Sequence, residues 1–524
     1  MTADRAGSYF LGALLGLLGL ILLYQLYNFL AVTVLIAPLS FELDYGEGIV
    51  WQQALAILGH GAYGPIDQFP AIVFHYPPVY HLTTRAVAAA FGCDMLLAGR
   101  AVSRGATLAM IIFAALAIAQ TATSRSWRHF AVAGLAGLIL PTIWAIDFWS
   151  RLMRVDMLAM ALSLAGLAFG LIAYTRPRWI YAAAGCFVAA VYAKQTSLPA
   201  PAALFAVMLW LRPQTAIKGI ATCVVAGLII LVTGILLTDG GFFRHLFLYN
   251  VNRVDWSRVN LSIDQIRNEG LLVGAALAAT IYLVRAVAIQ IRDGRAAGAT
   301  VRGALASNSA ASARVTLLVY ATIGTLTPVM MVKIGSSVNY LIEFFVTCTL
   351  LIGAALVVIT QDIFEPRTGP RDVLGTAFGI MLAGLLIVHA GRYETKWPTE
   401  NYIIQQERNQ NALIALMKPA TKPIIADPMV ALLRSGKPVL WESAIFAELG
   451  SIGTWDQRPF LAMIRNHEFA MFVTEGYGGE RYPSPLAEAI ASEYPVTQSI
   501  GKWVVHSPRL NTDRSTKPTI SQQP

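Results

Sequence analysis

At 524 residues the chain exceeds what one compact soluble core holds, and its composition decides what kind of protein it is. Hydrophobic residues make up 56% and charged residues only 13%, against about 25% charged in an average soluble domain, so a water-facing surface cannot be covered. Disorder, a fibrous repeat and a cytosolic enzyme are excluded. Of the formal charge of +9, +8 lies in residues 1–390, with 25 basic and 17 acidic side chains, while residues 391–524 hold 14 and 13. No basic soluble module exists, so nucleic acid is not an expected partner.

The run 9–37 carries no charge and is longer than the roughly 7–15 residues of a signal-peptide core, so it predicts an uncleaved first span. Gly12, Gly16 and Gly19 lie along one side of it, either as a packing face or because glycine is common in such helices. Further spans read at about 98–120, 130–147, 155–174, 179–193, 196–211, 218–237, 269–291, 315–332, 338–360 and 373–390, about eleven in all. Arg125 with Arg128, Arg176 with Arg178, Arg212 with Lys218, the loop 292–314, and Arg367 with Arg371 fall on one side. Positive loops stay cytoplasmic, which puts the N-terminus inside and the C-terminal segment outside.

Three outer stretches are long: 38–99, 239–268 and the tail from 392. Within the first, residues 49–58 are helix-like, and Pro77-Pro78 can open a second juxtamembrane helix. The tail alternates strand-like runs (KPIIADP, KPVLWE, FAMFVTEG, KWVVHSP) with helix-like ones near 429–435, 459–466 and 484–493. The expected fold is an all-α polytopic membrane protein with a small C-terminal α/β soluble domain. The expected division is 1–390 membrane module, 391–510 extracytoplasmic domain and 511–524 disordered tail. Cys93, Cys186, Cys223 and Cys348 form no CxxC or Cys/His cluster, so neither a disulfide framework nor a zinc module is expected.

The scarce charges outside the basic loops are the chemical signal. Asp44 and Glu47, in FELDYGEG, follow the first span directly, and Asp44 reads either as an active-site acid or as a helix cap. Asp147, Arg151, Arg154 and Asp156 form a mixed-sign cluster in DFWSRLMRVDMLAMAL, suited to an anionic ligand, with interfacial anchoring as the alternative for the arginines. Lys194 stands at the break between two short apolar runs, a cavity-lining lysine or a snorkelled one. In KIGSSVNYLIEFF, Asn339 and Glu343 share one helix face, for a ligand or for a helix-to-helix hydrogen bond. Tyr477, Trp441, Trp455 and Trp503 of the tail either stack on sugars or fill a small core.

An acid-bearing first outer loop, the HYPPVY element at 75–80, Gly99-Arg100 before the second span and the Arg154-Val155-Asp156 triplet together carry a resemblance. Across about residues 10–390 the chain resembles the GT-C glycosyltransferases, in the branch of the protein O-mannosyltransferases and the lipid A aminoarabinose transferase. The resemblance implies a polyprenyl-phosphate sugar as donor and places the catalytic acid on Asp44. An acid often follows that position directly in the family, whereas here Tyr45 follows and the second acid is Glu47. The lysine that meets donor phosphate before the Pro-Pro pair is replaced by Tyr76. That contact then falls to His75, Arg100, Arg151, Arg154 or Lys194, with Tyr76, Asn339 and Glu343 as further substrate contacts and Asp156 as a third catalytic acid. A divalent metal held by Asp44, Glu47 or Asp156 is compatible with some relatives.

The expected function is inverting transfer of a sugar from a polyprenyl-phosphate donor to a hydroxyl of a glycan, lipid or protein acceptor. The expected place is the outer face of the bacterial cytoplasmic membrane, and membrane lipid is a partner. The readings from other classes are a lipid or sugar transporter or flippase and a non-catalytic polysaccharide-export subunit. A transferase using a diphosphate-linked oligosaccharide is the enzymatic alternative.

Overall fold

The structure is a computed structural model describing residues 3–59, 61–124, 126–364, 373–475 and 481–509. Arg125, Arg367 and Arg371 of the basic-loop pattern, Tyr477 and the stretch 511–524 lie outside the described residues. The chain divides into two compact units. One consists of residues 1–39, 53–63 and 74–397; the other of 40–52, 64–73 and 398–524.

The first unit is helical. Its opening helix, Ala3–Ile36, is apolar on every side and about 51 Å long at 1.5 Å per residue, enough to cross a bilayer. Gly12 and Gly16 face open space, so they are not a packing face. The close approach is made by the partner helix, Val373–Arg392, where a Cβ at Gly379 would stand 2.8 Å from Leu11. Among the described residues eight helices are long and apolar enough to cross a membrane, or nine if one bent pair counts as a span. That is fewer than the eleven expected. Trp179–Val191 and Pro199–Leu211 have 13 residues each, about 20 Å, short of the roughly 30 Å hydrocarbon core. The bent pair, Trp127–Thr142 and Trp144–Ser150, turns by 73° where Pro141 removes a backbone donor.

Local chemistry fixes where these helices begin. Asp94 caps Met95–Ala119 by accepting from the Leu97 amide at 2.9 Å. Pro78 precedes Val79–Phe91, one of the two helices expected in the first outer stretch; the other is Gly46–Ala56. Residues 253–255 pair with 332–334 through a short antiparallel bridge, and this sets the position of Lys333.

The second unit is α/β. Strands β1 (Ile424–Ala426), β2 (Met471–Thr474), β3 (Val496–Ile500) and β4 (Trp503–Ser507) form one sheet in the order β1-β2-β4-β3. β1 and β2 are parallel; β4 runs antiparallel to both neighbours. Helices Met429–Arg434, Arg458–Arg465 and Ser484–Glu493 fall where the sequence pattern put them. The expected strand KPVLWE is not in the sheet. Its amide at Val439 donates to Gln52 and its Leu440 carbonyl accepts from Ala71, so it is engaged by the first outer stretch. Trp441 stacks on Phe460 with ring centroids 4.6 Å apart, and Trp441, Trp455 and Trp503 are all buried: these tryptophans are core.

Candidate functional site

In the helical unit, four chain segments meet at one carboxylate. Asp156 opens the helix Asp156–Ala173, where backbone amides favour negative charge. Its Oδ1 accepts from Lys194 Nζ at 2.6 Å and Asn339 Nδ2 at 2.8 Å, and its Oδ2 accepts from Trp149 Nε1 at 2.6 Å. Lys194 sits in the turn between the two short apolar helices, and Asn339 in the 3₁₀ turn Val338–Leu341. The Lys194 ammonium also lies 4.7 Å from the Tyr340 ring centroid. Burial would lower the lysine pKa, but the Asp156 charge overrides it and holds the pKa above the lysine range. A carboxylate accepting three hydrogen bonds, one from an ammonium, is built to orient rather than to take a proton.

Around this pair the unit gathers further polar groups. The His75 carbonyl accepts from Gln195 Nε2 at 2.9 Å and Asn250 Nδ2 at 3.0 Å, and the Tyr76 carbonyl accepts from Tyr63 at 3.0 Å. These bonds fix the backbone before Pro77-Pro78. His245, in a π-helical turn, accepts from the Phe74 amide at 3.0 Å. Burial, with Arg154 and Lys333 in range, pushes the His75 imidazole down to about 4, so it is neutral at physiological pH. Burial and then the Asp156 charge push Tyr76 up to about 12, so its hydroxyl remains a donor. Arg154 lies 5.7 Å from the Trp149 ring centroid.

Other candidates are placed elsewhere. Arg100 is buried and donates to the Leu39 carbonyl at 2.8 Å, binding the end of the first helix. Arg151 pairs with Asp147 at 2.5 Å and donates to the Lys396 carbonyl at 2.7 Å, while Tyr393 and Arg104 also engage Asp147. That group joins chain segments internally. Glu343 accepts from Tyr320 at 2.9 Å, one helical turn from Asn339, and lies within electrostatic reach of Lys194. Asp44 and Glu47 belong to the α/β unit. The Asp44 carboxylate accepts from the Gly46 amide at 3.1 Å and Glu47 reaches back to the Leu43 amide at 2.7 Å, so both acids support the start of Gly46–Ala56. Trp149, Tyr340, Gln195, Asn250 and His245 were not singled out from the sequence. Tyr340 and Trp149 stood inside the quoted motifs, but an aromatic side chain does not stand out from an apolar background.

A cavity of about 380 Å³ in the same unit is lined by Pro78, Ile229, Ile230, Thr233, Gly234, Leu237 and Phe242. Tyr192 stacks on Phe242 with centroids 6.5 Å apart. Pro78 of the groove lies two residues from Tyr76, and Tyr192, which stacks on the groove's Phe242, lies two residues from Lys194.

Among the described residues no group of three or more His, Cys, Asp or Glu side chains is placed to hold a metal. At Asp156 the coordinating oxygens already face an ammonium and two N–H donors, so this donor set does not fit a divalent ion.

No family model matches the chain, and no curated protein sequence does. Solved structures do. The chain is similar to ArnT from Cupriavidus metallidurans bound to undecaprenyl phosphate, with TM-score 0.56 and 12% identity over 92% of this chain and 97% of that one. The apo form of the same protein gives 0.53 and 13% over the same shares. An oligosaccharyltransferase from Archaeoglobus fulgidus tethered to an acceptor peptide gives 0.48 and 11% over 86% and 69%. The chain thus shares the fold of the two ArnT structures, the kind of fold that the resemblance implied.

Proposed function

We propose that this chain is a multi-pass membrane glycosyltransferase moving a sugar from a polyprenyl-phosphate donor to an acceptor hydroxyl at the outer face of a cytoplasmic membrane. The carrying observation is the shared construction of groove and cluster. Pro78 of the apolar slot lies two residues from Tyr76, which is within electrostatic reach of Lys194 and Arg154, and Tyr192, two residues from Lys194, stacks on Phe242 of the slot. An amphiphile with a hydrocarbon tail and one phosphate fits that pairing of environments. The fold is also that of a protein solved with undecaprenyl phosphate.

In the proposed reaction the acceptor O–H gives its proton to the Asp44 carboxylate, the role that the GT-C resemblance assigns to this residue. The acceptor oxygen attacks the anomeric carbon in line. The bond from that carbon to the phosphate oxygen breaks, and its electron pair leaves on polyprenyl phosphate, inverting the centre. A positioned base contributes about 10²–10⁴-fold. Lys194 stabilises the charge developing on the phosphate, and Asp156, Asn339 and Trp149 hold Lys194 in place. Tyr76 donates a hydrogen bond to the same phosphate, standing where the family has a lysine.

Sugar-labelled polyprenyl-phosphate donor in proteoliposomes tests this. Label moving to an acceptor supports the transferase; label appearing only across the bilayer supports a flippase instead. Asp44→Asn should abolish transfer without loss of expression, and retained transfer removes Asp44 from the mechanism.

A further inference from the structure

We infer that the C-terminal α/β unit is a positioning device for the candidate base: Tyr45, clamped by Glu442, Ser443 and Arg481, holds the backbone at Asp44 in one conformation. The inference rests on the reading of Asp44 as the base. Residues 40–52 are part of the same compact unit as residues 398–524, although more than 300 residues separate them in sequence. Before Asp44, the Ser40 carbonyl accepts from Gln410 and Arg434, each at 2.7 Å, and the Glu42 carboxylate accepts from the Val430 amide at 3.2 Å. After it, Gln52 accepts from the Val439 amide at 3.0 Å. A Cβ at Gly48 would stand 2.4 Å from Met429, so the two backbones touch there.

Tyr45, adjacent to Asp44, is the most elaborately held. Its hydroxyl donates to Glu442 Oε1 at 2.7 Å, lies 3.0 Å from Ser443 Oγ and accepts from the Ala444 amide at 3.4 Å. Ser443 donates onward to Asp427 Oδ1 at 2.7 Å, which also accepts from Tyr482 at 3.1 Å. Arg481 bonds Asp427 Oδ2 at 3.4 Å and lays its guanidinium 3.9 Å from the Tyr45 ring centroid. Apolar side chains would dock a loop at lower desolvation cost than two carboxylates, a serine and an arginine. What directional hydrogen bonds add is a single geometry. Desolvation and the nearby Glu442 and Asp427 charges hold the Tyr45 hydroxyl protonated, so it is a donor throughout.

The full-length protein in nanodiscs is offered undecaprenyl-phosphate-linked hexoses one at a time, labelled in the sugar, and release of label from lipid is followed. Tyr45→Phe keeps the ring and loses the hydroxyl. It should lower the rate at saturating donor by about 10-fold or more, as expected for a misplaced catalytic group, with the half-saturating concentration unchanged and a Tm loss no larger than that of Trp455→Phe. Glu442→Gln retains an acceptor oxygen for Tyr45 and should stay close to wild type. Trp455→Phe weakens the core of the same unit without removing a hydrogen bond of the clamp; it should lower Tm and leave the rate intact. If Tyr45→Phe turns over at the wild-type rate while Asp44→Asn is dead, positioning fails and the base assignment stands. If Trp455→Phe costs as much rate as Tyr45→Phe, the clamp is merely structural. An active Asp44→Asn, or no release from any donor by wild type, overturns the underlying reading and this inference with it.

Discussion

Asp156 and Lys194 form a buried ion pair whose members depend on each other. Removing the carboxylate leaves a buried ammonium without compensation, a change worth about 3–5 kcal/mol in such pairs. Asp156→Asn should therefore lower thermal stability as well as donor affinity, which unfolding scans with and without undecaprenyl phosphate can separate. Lys194→Met strands the buried Asp156 carboxylate and should lower thermal stability too, while weakening undecaprenyl phosphate binding about 10–100-fold, the range of one charged hydrogen bond. Unchanged binding by Lys194→Met would remove the lysine from the phosphate site. His75, pushed down to about 4, is neutral from pH 5 to 8, so His75→Gln should leave the pH profile of donor binding unaltered over that window. A profile that changes shape would show that the ring titrates. At this scale the sequence was informative wherever a charge interrupted an apolar run: Asp156, Lys194 and Arg154 were legible, and so was Asn339 near them. Arg100 and Arg151 gave the same signal but are engaged by the Leu39 carbonyl and by Asp147. A charge in a membrane helix marks a polar partner without saying whether that partner is substrate or protein.

The Gly46–Ala56 helix, with its approach to Met429, is the element whose environment matters most. Gly48→Ala would place a methyl against the Met429 Cβ and the Val430 amide, which must then shift. Overpacking of this kind costs about 1–3 kcal/mol, so the α/β unit should melt lower, and an unchanged Tm would show that the two helices separate freely. The segment leading into this helix carries a pH dependence. Desolvation, with Glu47 and Asp44 nearby, holds Glu42 well above the ordinary glutamate value of 4.5 despite its bond to Val430. The folded chain then keeps a proton that the unfolded chain has released. Stability therefore falls as pH rises above about 4.5, until the folded-state value is passed. Glu42→Gln should flatten that fall in denaturation midpoints measured across pH, and an unaltered slope would place the titration elsewhere. Helices and strands of the tail were legible because their periods differ and Pro or Gly separates them. KPVLWE has strand composition, but its hydrogen bonds go to Gln52 and Ala71, more than 350 residues earlier, and no local pattern announces that. β3 was missed because four of its five residues are exposed, leaving no apolar alternation to read.

For the molecule as a whole, composition alone pointed to the membrane class, and loose motifs pointed to the fold that the chain shares with the two ArnT structures at 12–13% identity. The span count was less legible, since hydropathy cannot tell a 13-residue helix beside a polar cluster from a shortened crossing. Nor did composition show that residues 40–52 and 64–73 fold with the tail rather than with the helices that flank them in sequence. The alternating basic loops predict a cytoplasmic N-terminus and an outer α/β unit, and impermeant thiol labelling of single cysteines at the two ends would report both. Labelling of the tail only after permeabilisation would invert the topology. The central claim is that one polyprenyl phosphate occupies the groove and the cluster together. An experimental structure with undecaprenyl phosphate bound tests it most directly. The account predicts hydrocarbon against Ile229, Ile230, Leu237 and Phe242 and the phosphate in contact with Lys194. Lipid phosphate held elsewhere, with Lys194 still paired only to Asp156, would contradict it.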